Sequence, residues 1–354
     1  MAADDKRNIA QLLLTLLSIP SPTGQEMALL KWLESFLTTQ HFKTKWQKVE
    51  AERANLLAWR GNPKYLIATH VDTVPAWGHP HAFTPLIRED KVWARGAIDT
   101  KGQIAALLHA IAYTDTPCAL AFFIDEEKGA IGSERFEPPF SFEGAIVLEP
   151  TNLSLAIAEA GNIELSLKFQ GKTAHGAVAG KGKNAIEMSC AFLKKLTALK
   201  CLQIKHPLFP DSQVNIGKIR GGKDCQLVAD RCEVEIDIPV LPGINLEEAW
   251  QEVLSLLNNF PVTWEIKSFD PSWEISPAET VVKELAACIS IYMPVKYTGM
   301  PAWTDAAHLL EKGIPAVVFG AGDLALAHTP QEHVDLNELL TLSYILKDFL
   351  KLNS

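Results

Sequence analysis

Several apolar stretches of this chain end in residues that can bind metal ions or move protons. His70 and Asp72 follow YLIAT, Asp99 lies in ARGAIDTKG, Asp125, Glu126 and Glu127 close ALAFFI, Glu149 closes AIVL, and His328 lies in ALAHTP beyond AVVFGAG. Imidazole and carboxylate together suit a divalent ion that tolerates nitrogen and oxygen ligands, zinc first and cobalt or manganese next. His70, Asp99, Glu127, Glu149 and His328 are too many ligands for one catalytic zinc with an open position. They suit two ions if Asp99 bridges, with a water held between the pair. Such a pair would also relieve the repulsion among the three adjacent carboxylates at 125–127.

Each residue has an ordinary alternative. His70 and Asp72 could share a local hydrogen bond, Asp99 or Thr100 could cap a helix, and Glu149 could be a loop carboxylate. His328 could be a satisfied core or surface histidine, and the acidic triplet a solvated loop. What favours the metal reading is their common place behind apolar strands, because open α/β sheets gather function at the carboxyl ends of their strands.

The elements that must position these groups are legible from periodicity. YLIATHVD (65–72), CALAFFID (118–125), AIVLEP (145–150) and PAVVFGAGD (315–323) read as buried strands, and TKGQIAALLHAIAYT (100–114) and LNELLTLSYILKDFLKL (336–352) as helices. The middle alternates instead. Ile163, Leu165, Leu167 and Phe169 in one stretch, and Cys232, Val234, Ile236, Ile238 and Val240 in another, predict a sheet buried on one face. With helices near 184–199 and 245–259 and strands near 213–219 and 262–268, the order is βαββαβ, a ferredoxin-like arrangement. The expected architecture is therefore an α/β domain of residues 1–158 and 269–354, interrupted by a small α+β domain at 159–268.

Bulk properties narrow the setting. The chain of 354 residues is 47% hydrophobic, enough for a large core and two domains. A net charge of −9, without a basic cluster or an RNA-type aromatic motif, disfavours a nucleic-acid partner. No apolar run approaches the roughly 18 residues of a membrane span, and QLLLTLLSIP follows acidic Asp4 and Asp5 instead of a basic signal region. Six scattered cysteines without a CxxC pair are expected to be reduced thiols. A cytoplasmic protein acting on a small molecule or peptide is the expectation.

Taken in order, ATHVDTVPAW, WARGAIDTKGQIAAL, FFIDEEKGAIGS, IVLEPT, GKTAHGAVAGKGKNAI and GAGDLALAHTPQEHVDL resemble the M20 family of dinuclear metallohydrolases over nearly the whole chain. The resemblance implies a mixed-sheet catalytic domain with an inserted ferredoxin-like domain that serves as lid and dimerisation surface. It implies that His70 and Glu149 hold one metal, Glu127 and His328 the other, and Asp99 both. Glu126 becomes the catalytic base that activates the shared hydroxide, Asp72 the carboxylate that orients His70, and His175 the lid histidine that reaches the other subunit's active site. A cis peptide bond at Asp99–Thr100 is also implied.

Departures fall in the lid. GGKDCQLVADRCEVEIDIP carries Gln226, Ala229 and Pro239 where members often show an NVxPD step and a strand-ending arginine, so the substrate carboxylate needs another partner. Arg220, Arg231, Lys181 and Lys183 are the candidates, each equally an ordinary surface charge. Asn215 matches a family position for substrate contact, and GMPAWTDAAHL resembles a pocket-wall segment carrying Trp303, Thr304 and Asp305. The implied activity is metal-dependent hydrolysis of the amide bond of a small N-acyl amino acid, acetylornithine-like, in a homodimer with two divalent ions, zinc or else cobalt or manganese. The alternatives are dipeptidase, aminopeptidase or carboxypeptidase action on short peptides, and, more distantly, a non-catalytic binding protein on a hydrolase fold.

Overall fold

The structure is a computed structural model that describes residues 2–209 and 213–352. It divides into two compact units. The larger ends its first segment at Ile157 and takes in Ile275–Thr298 and the chain from Thr304 onward; the smaller is Ala158–Glu274 with Gly299–Trp303. The inserted unit thus runs past the expected seam at 268, because Trp273 and Glu274 form a short strand against Glu159 and Ala158. It also recruits residues 299–303, where Gly299 donates to the Leu208 carbonyl at 2.9 Å and Ala160 to that of Met300 at 2.9 Å.

In the larger unit, four strands lie parallel and adjacent in the order Cys118–Phe123, Tyr65–His70, Gly144–Val147 and Ala316–Val318. All four are buried at every position, as strands covered on both faces must be. Antiparallel strands flank them: Ala54–Arg60 and then Lys43–Lys48 on one side, Leu155–Glu159 on the other. The sheet is therefore mixed. The helix Lys101–Ile111 is buried along its whole length, which its alanine-rich sequence permits, and packs with the helices Ala2–Leu17 and Leu336–Leu352. Gly102 allows that helix to start where it does, since a Cβ there would sit 2.2 Å from the Ala97 carbonyl oxygen. A separate small sheet joins Leu86–Arg88, Lys91–Trp93 and His333–Asp335, all antiparallel, with Trp93 opposite His333.

The smaller unit has the βαββαβ order. Its strands Gly161–Gln170, Asn215–Gly221, Arg231–Val240 and Val262–Asp270 pair antiparallel, second, third, first, fourth across the sheet. The period-two residues behave as expected: Ile163, Leu165, Leu167 and Phe169, and Cys232, Val234, Ile236, Ile238 and Val240, are all buried. They pack on Phe192 and Leu196 of helix Ala185–Leu196 and on Val253 and Leu257 of helix Leu246–Leu257. Both helices start at an asparagine cap, Asn184 accepting from Ile186 at 3.0 Å and Asn245 from Glu248 at 3.1 Å. A register shift between Ile216 and Lys218 places Asn215, Lys218 and Arg220 opposite Asp237, Glu235 and Glu233, so all three share the sheet face away from the helices. Among the described residues, no helix is long and apolar enough to cross a membrane.

Candidate metal centre

The parallel strands deliver their ligands to one edge of the sheet. His70 is the last residue of its strand and lies opposite Phe123. Beyond Phe123 the chain turns at Asp125, whose φ of 71 is left-handed. Its carbonyl accepts from the amides of Gly129 at 3.0 Å and Ala130 at 2.6 Å, and its carboxylate meets Arg53 at 2.7 Å. That turn presents Glu126 and Glu127 in succession. Glu149 follows the next strand over, and Asp99 precedes the buried helix. The Asp99–Thr100 peptide is cis. Thr100 stands at the N-cap position of that helix without a side-chain capping bond and donates its hydroxyl to the His70 carbonyl at 2.8 Å.

The two carboxylate oxygens of Asp99 face different histidines. Oδ1 is 3.0 Å from His70 Nε2, which is also 3.4 Å from Glu149 Oε1. Oδ2 is 3.0 Å from His328 Nε2, which is also 2.9 Å from Glu127 Oε2. His70, Asp99 and Glu149 thus form one three-ligand group, Asp99, Glu127 and His328 a second, and the ligand atoms of each lie within 4.8 Å of one another. Glu126 stands beside the first group, its Oε2 4.0 Å from His70 Nε2. His328 is the most exposed member, its side chain 45% accessible against 1–9% for the other ligands. The Trp77 and His328 rings meet edge to face, centroids 5.8 Å apart.

The electrostatics ask for positive charge. Burial pushes Glu126 and Glu149 well above the ordinary carboxylate range, and Glu127 upward as well. Burial works against the charged imidazoles, yet the surrounding carboxylates prevail, Glu149 and Glu126 raising His70 and Asp99 and Glu127 raising His328 to about 10. Asp99, with both histidines against it, is held low despite its burial. Glu149 Oε1 is buried without a hydrogen-bond partner. An imidazole-carboxylate set this buried and this rich in anions fits a pair of divalent cations.

Asp72 faces the His70 ring with both its backbone carbonyl and its carboxylate. His70 Nδ1 is 3.1 Å from the Asp72 backbone carbonyl, closer than the carboxylate at 3.5 Å. The carboxylate also accepts the amides of Glu126 at 3.1 Å and Glu127 at 3.2 Å, and the Thr23 hydroxyl at 2.8 Å. Asp305, expected near a substrate wall, lies below the surface. It is completely buried, which pushes its carboxyl up to about 7.

In the smaller unit, His175 is exposed and its Nδ1 accepts the Ala177 amide at 3.1 Å. That bond puts the ring proton on Nε2, free to donate outward. Asn215 and Arg220 are exposed on the face described above, Lys181 and Lys183 are exposed in the loop before the first helix, and Arg231 is ion-paired with Glu233 of its own strand.

Sequence reasoning missed Arg95 and Glu332, a buried ion pair beside the second group. A signal existed: an arginine among Trp93, Ala94, Gly96 and Ala97 has little chance of reaching water and needs a partner. The turn carrying Trp77 was equally unforeseen.

A model of peptidase family M20/M25/M40 matches residues 66–352. The chain is 28% identical to a probable carboxypeptidase of Aspergillus clavatus, covering 92% of this chain and 83% of that protein. It is also 28% identical to the acetylornithine deacetylase of Vibrio cholerae, covering 87% and 86%. Its fold is similar to that of a tripeptidase from Staphylococcus aureus, TM-score 0.83 at 18% identity over 98% of each chain.

Proposed function

We propose, on the premise that this chain belongs to peptidase family M20/M25/M40 and is a metal-dependent hydrolase, that it cleaves the amide bond of a small N-acyl amino acid. The observation that carries the reading is the division of Asp99, one oxygen toward His70 and Glu149 and the other toward His328 and Glu127. These five residues would hold two divalent ions, zinc or else cobalt or manganese. When bound, such ions polarise the scissile carbonyl and lower the pKa of a water between them.

The rest is the work of side chains. Glu126, beside the first group and in no ligand pair, takes the proton of the attacking water and returns it to the leaving amine. Asp72 holds the amides of Glu126 and Glu127, so base and ligand keep a fixed separation. His175, with its proton on Nε2, donates to the developing oxyanion; in a homodimer formed through the smaller unit that donor is His175 of the partner subunit. For the substrate carboxylate, Arg220 is the better candidate than Arg231, whose guanidinium is occupied by Glu233, and Asn215 shares its sheet face. The six cysteines are free thiols, which fits a reducing compartment such as the cytoplasm.

The likeness to a deacetylase favours an N-acetyl amino acid of the acetylornithine type. The test is a panel of N-acetyl and N-succinyl amino acids, dipeptides and carboxypeptidase substrates, assayed after chelation and reloading with zinc or cobalt. Fastest turnover of an N-acetyl amino acid is expected. A preference for free-amino dipeptides or for C-terminal cleavage would replace the deacylase reading by a peptidase one, and no hydrolysis by metal-loaded protein would overturn both.

A further inference from the structure

The buried pair of Arg95 and Glu332 belongs to neither ligand group, yet its side-chain bonds end on the backbone of segments that carry ligands. Pairing of Lys91–Trp93 with His333–Asp335 brings the two residues together just beyond the strand ends. Arg95 Nη1 meets Glu332 Oε2, with side chains 1% and 0% exposed. Arg95 Nη2 donates to the carbonyls of His328 at 3.1 Å and Ala76 at 3.2 Å, and Nε to that of Pro75 at 3.1 Å. Glu332 Oε1 accepts the amide of Ile98, the residue before Asp99, at 3.2 Å, and the Glu332 carbonyl holds buried His79 Nε2 at 3.0 Å.

These bonds are lopsided with respect to the two groups. His328 has a left-handed backbone, φ 63, which a non-glycine residue keeps only when its surroundings fix it. Its side chain is 45% exposed, touched by the Trp77 ring, and its carbonyl is anchored by Arg95. The Pro75–Ala76 carbonyls held by the same guanidinium follow Val74, whose amide donates to Glu127 Oε1 at 3.3 Å. His70 ends a strand paired on both sides, Glu149 follows its neighbour, and neither takes a bond from this pair. We propose that Arg95 and Glu332 are positioning residues chiefly for the second metal group: Arg95 sets Glu127 and His328 against Asp99, and Glu332 holds Arg95 and the Ile98 amide, so that the His70–Glu149 side is reached only through the shared Asp99. This rests on the two-metal reading above.

The test uses the full chain stripped of metal, titrated with Co²⁺ by calorimetry, together with the melting temperature of the metal-free form. Wild type should show two binding events. His70→Asn should remove one and Glu127→Gln the other, which identifies them. Arg95→Lys keeps the charge but not the planar fork; it should weaken the Glu127 event by about tenfold or more and leave the His70 event within about twofold. Glu332→Gln, which also loosens Ile98 beside the shared Asp99, should weaken both events but the Glu127 event several-fold more, and decides the matter if Arg95→Lys does not fold.

Equal weakening of both events, or of neither, overturns the proposal. So does failure of both variants to fold, because the pair is then a structural strut. Fewer than two events in wild type overturns the two-metal reading itself, a result distinct from the others.

Discussion

The carboxylate of Asp72 accepts the backbone amides of Glu126 and Glu127, at 3.1 Å and 3.2 Å, one to each oxygen. A residue two positions beyond His70 thereby fixes the strand end that supplies both the proposed base and a ligand of the other group. Asp72→Ala leaves two part-buried amides unpaired. We expect a loss of about 1–3 kcal/mol in urea unfolding and a fall in kcat of about a hundredfold from the misplaced Glu126. An unchanged kcat would show that the turn at Asp125 holds the segment unaided.

Glu126→Gln removes the proposed base without touching either three-ligand group. Metal analysis should still find two ions per chain, and steady-state assays should find kcat reduced by about 10²–10⁴. Loss of an ion would instead place Glu126 among the ligands.

Asp305 gives a pH signature in the metal-free protein. Burial raises its folded pKa to about 7 from an ordinary 3.8, so its contribution to stability is fully present below about pH 4. That contribution is lost as pH rises through about 7, where the buried carboxylate must ionise. Asp305→Asn has no such loss. Its unfolding free energy relative to wild type should grow from pH 4 to pH 8 by on the order of 2–4 kcal/mol, measured by denaturant titration after chelation. A difference independent of pH would mean that Asp305 ionises freely where it is.

Gly102→Ala places a methyl group 2.2 Å from the Ala97 carbonyl oxygen, a backbone atom that cannot swing aside. The segment 97–99 must move, taking Asp99 with it. A cost of about 1–3 kcal/mol is expected, with weaker binding of both ions in a metal titration, since Asp99 serves both groups. Loss of stability with intact metal affinity would show that the strain is absorbed on the helix side.

How much of this was legible in the residues follows from their physics. The alternation in 163–169 and 232–240 identified the buried face of the smaller sheet because a strand's side chains point to opposite faces in turn. The continuous apolar runs at 65–69 and 118–124 read as strands covered on both faces, and the polar residues at their ends read as a common site. Asp125, without a clear task in the sequence, proves to be the left-handed turn residue, tied to Arg53 from 72 positions away.

The sequence by itself determined which residues could serve as ligands and base, the order of elements that carry them, and the family, since these depend on residue type and local period. Only the tertiary structure decided that Asp99 turns one oxygen to each histidine, that Asp72 grips the amides of Glu126 and Glu127, that Asp305 is buried, and that Arg95 meets Glu332 across 237 positions. These depend on directions and distances between chain segments, which strand register and loop geometry fix and local composition does not encode.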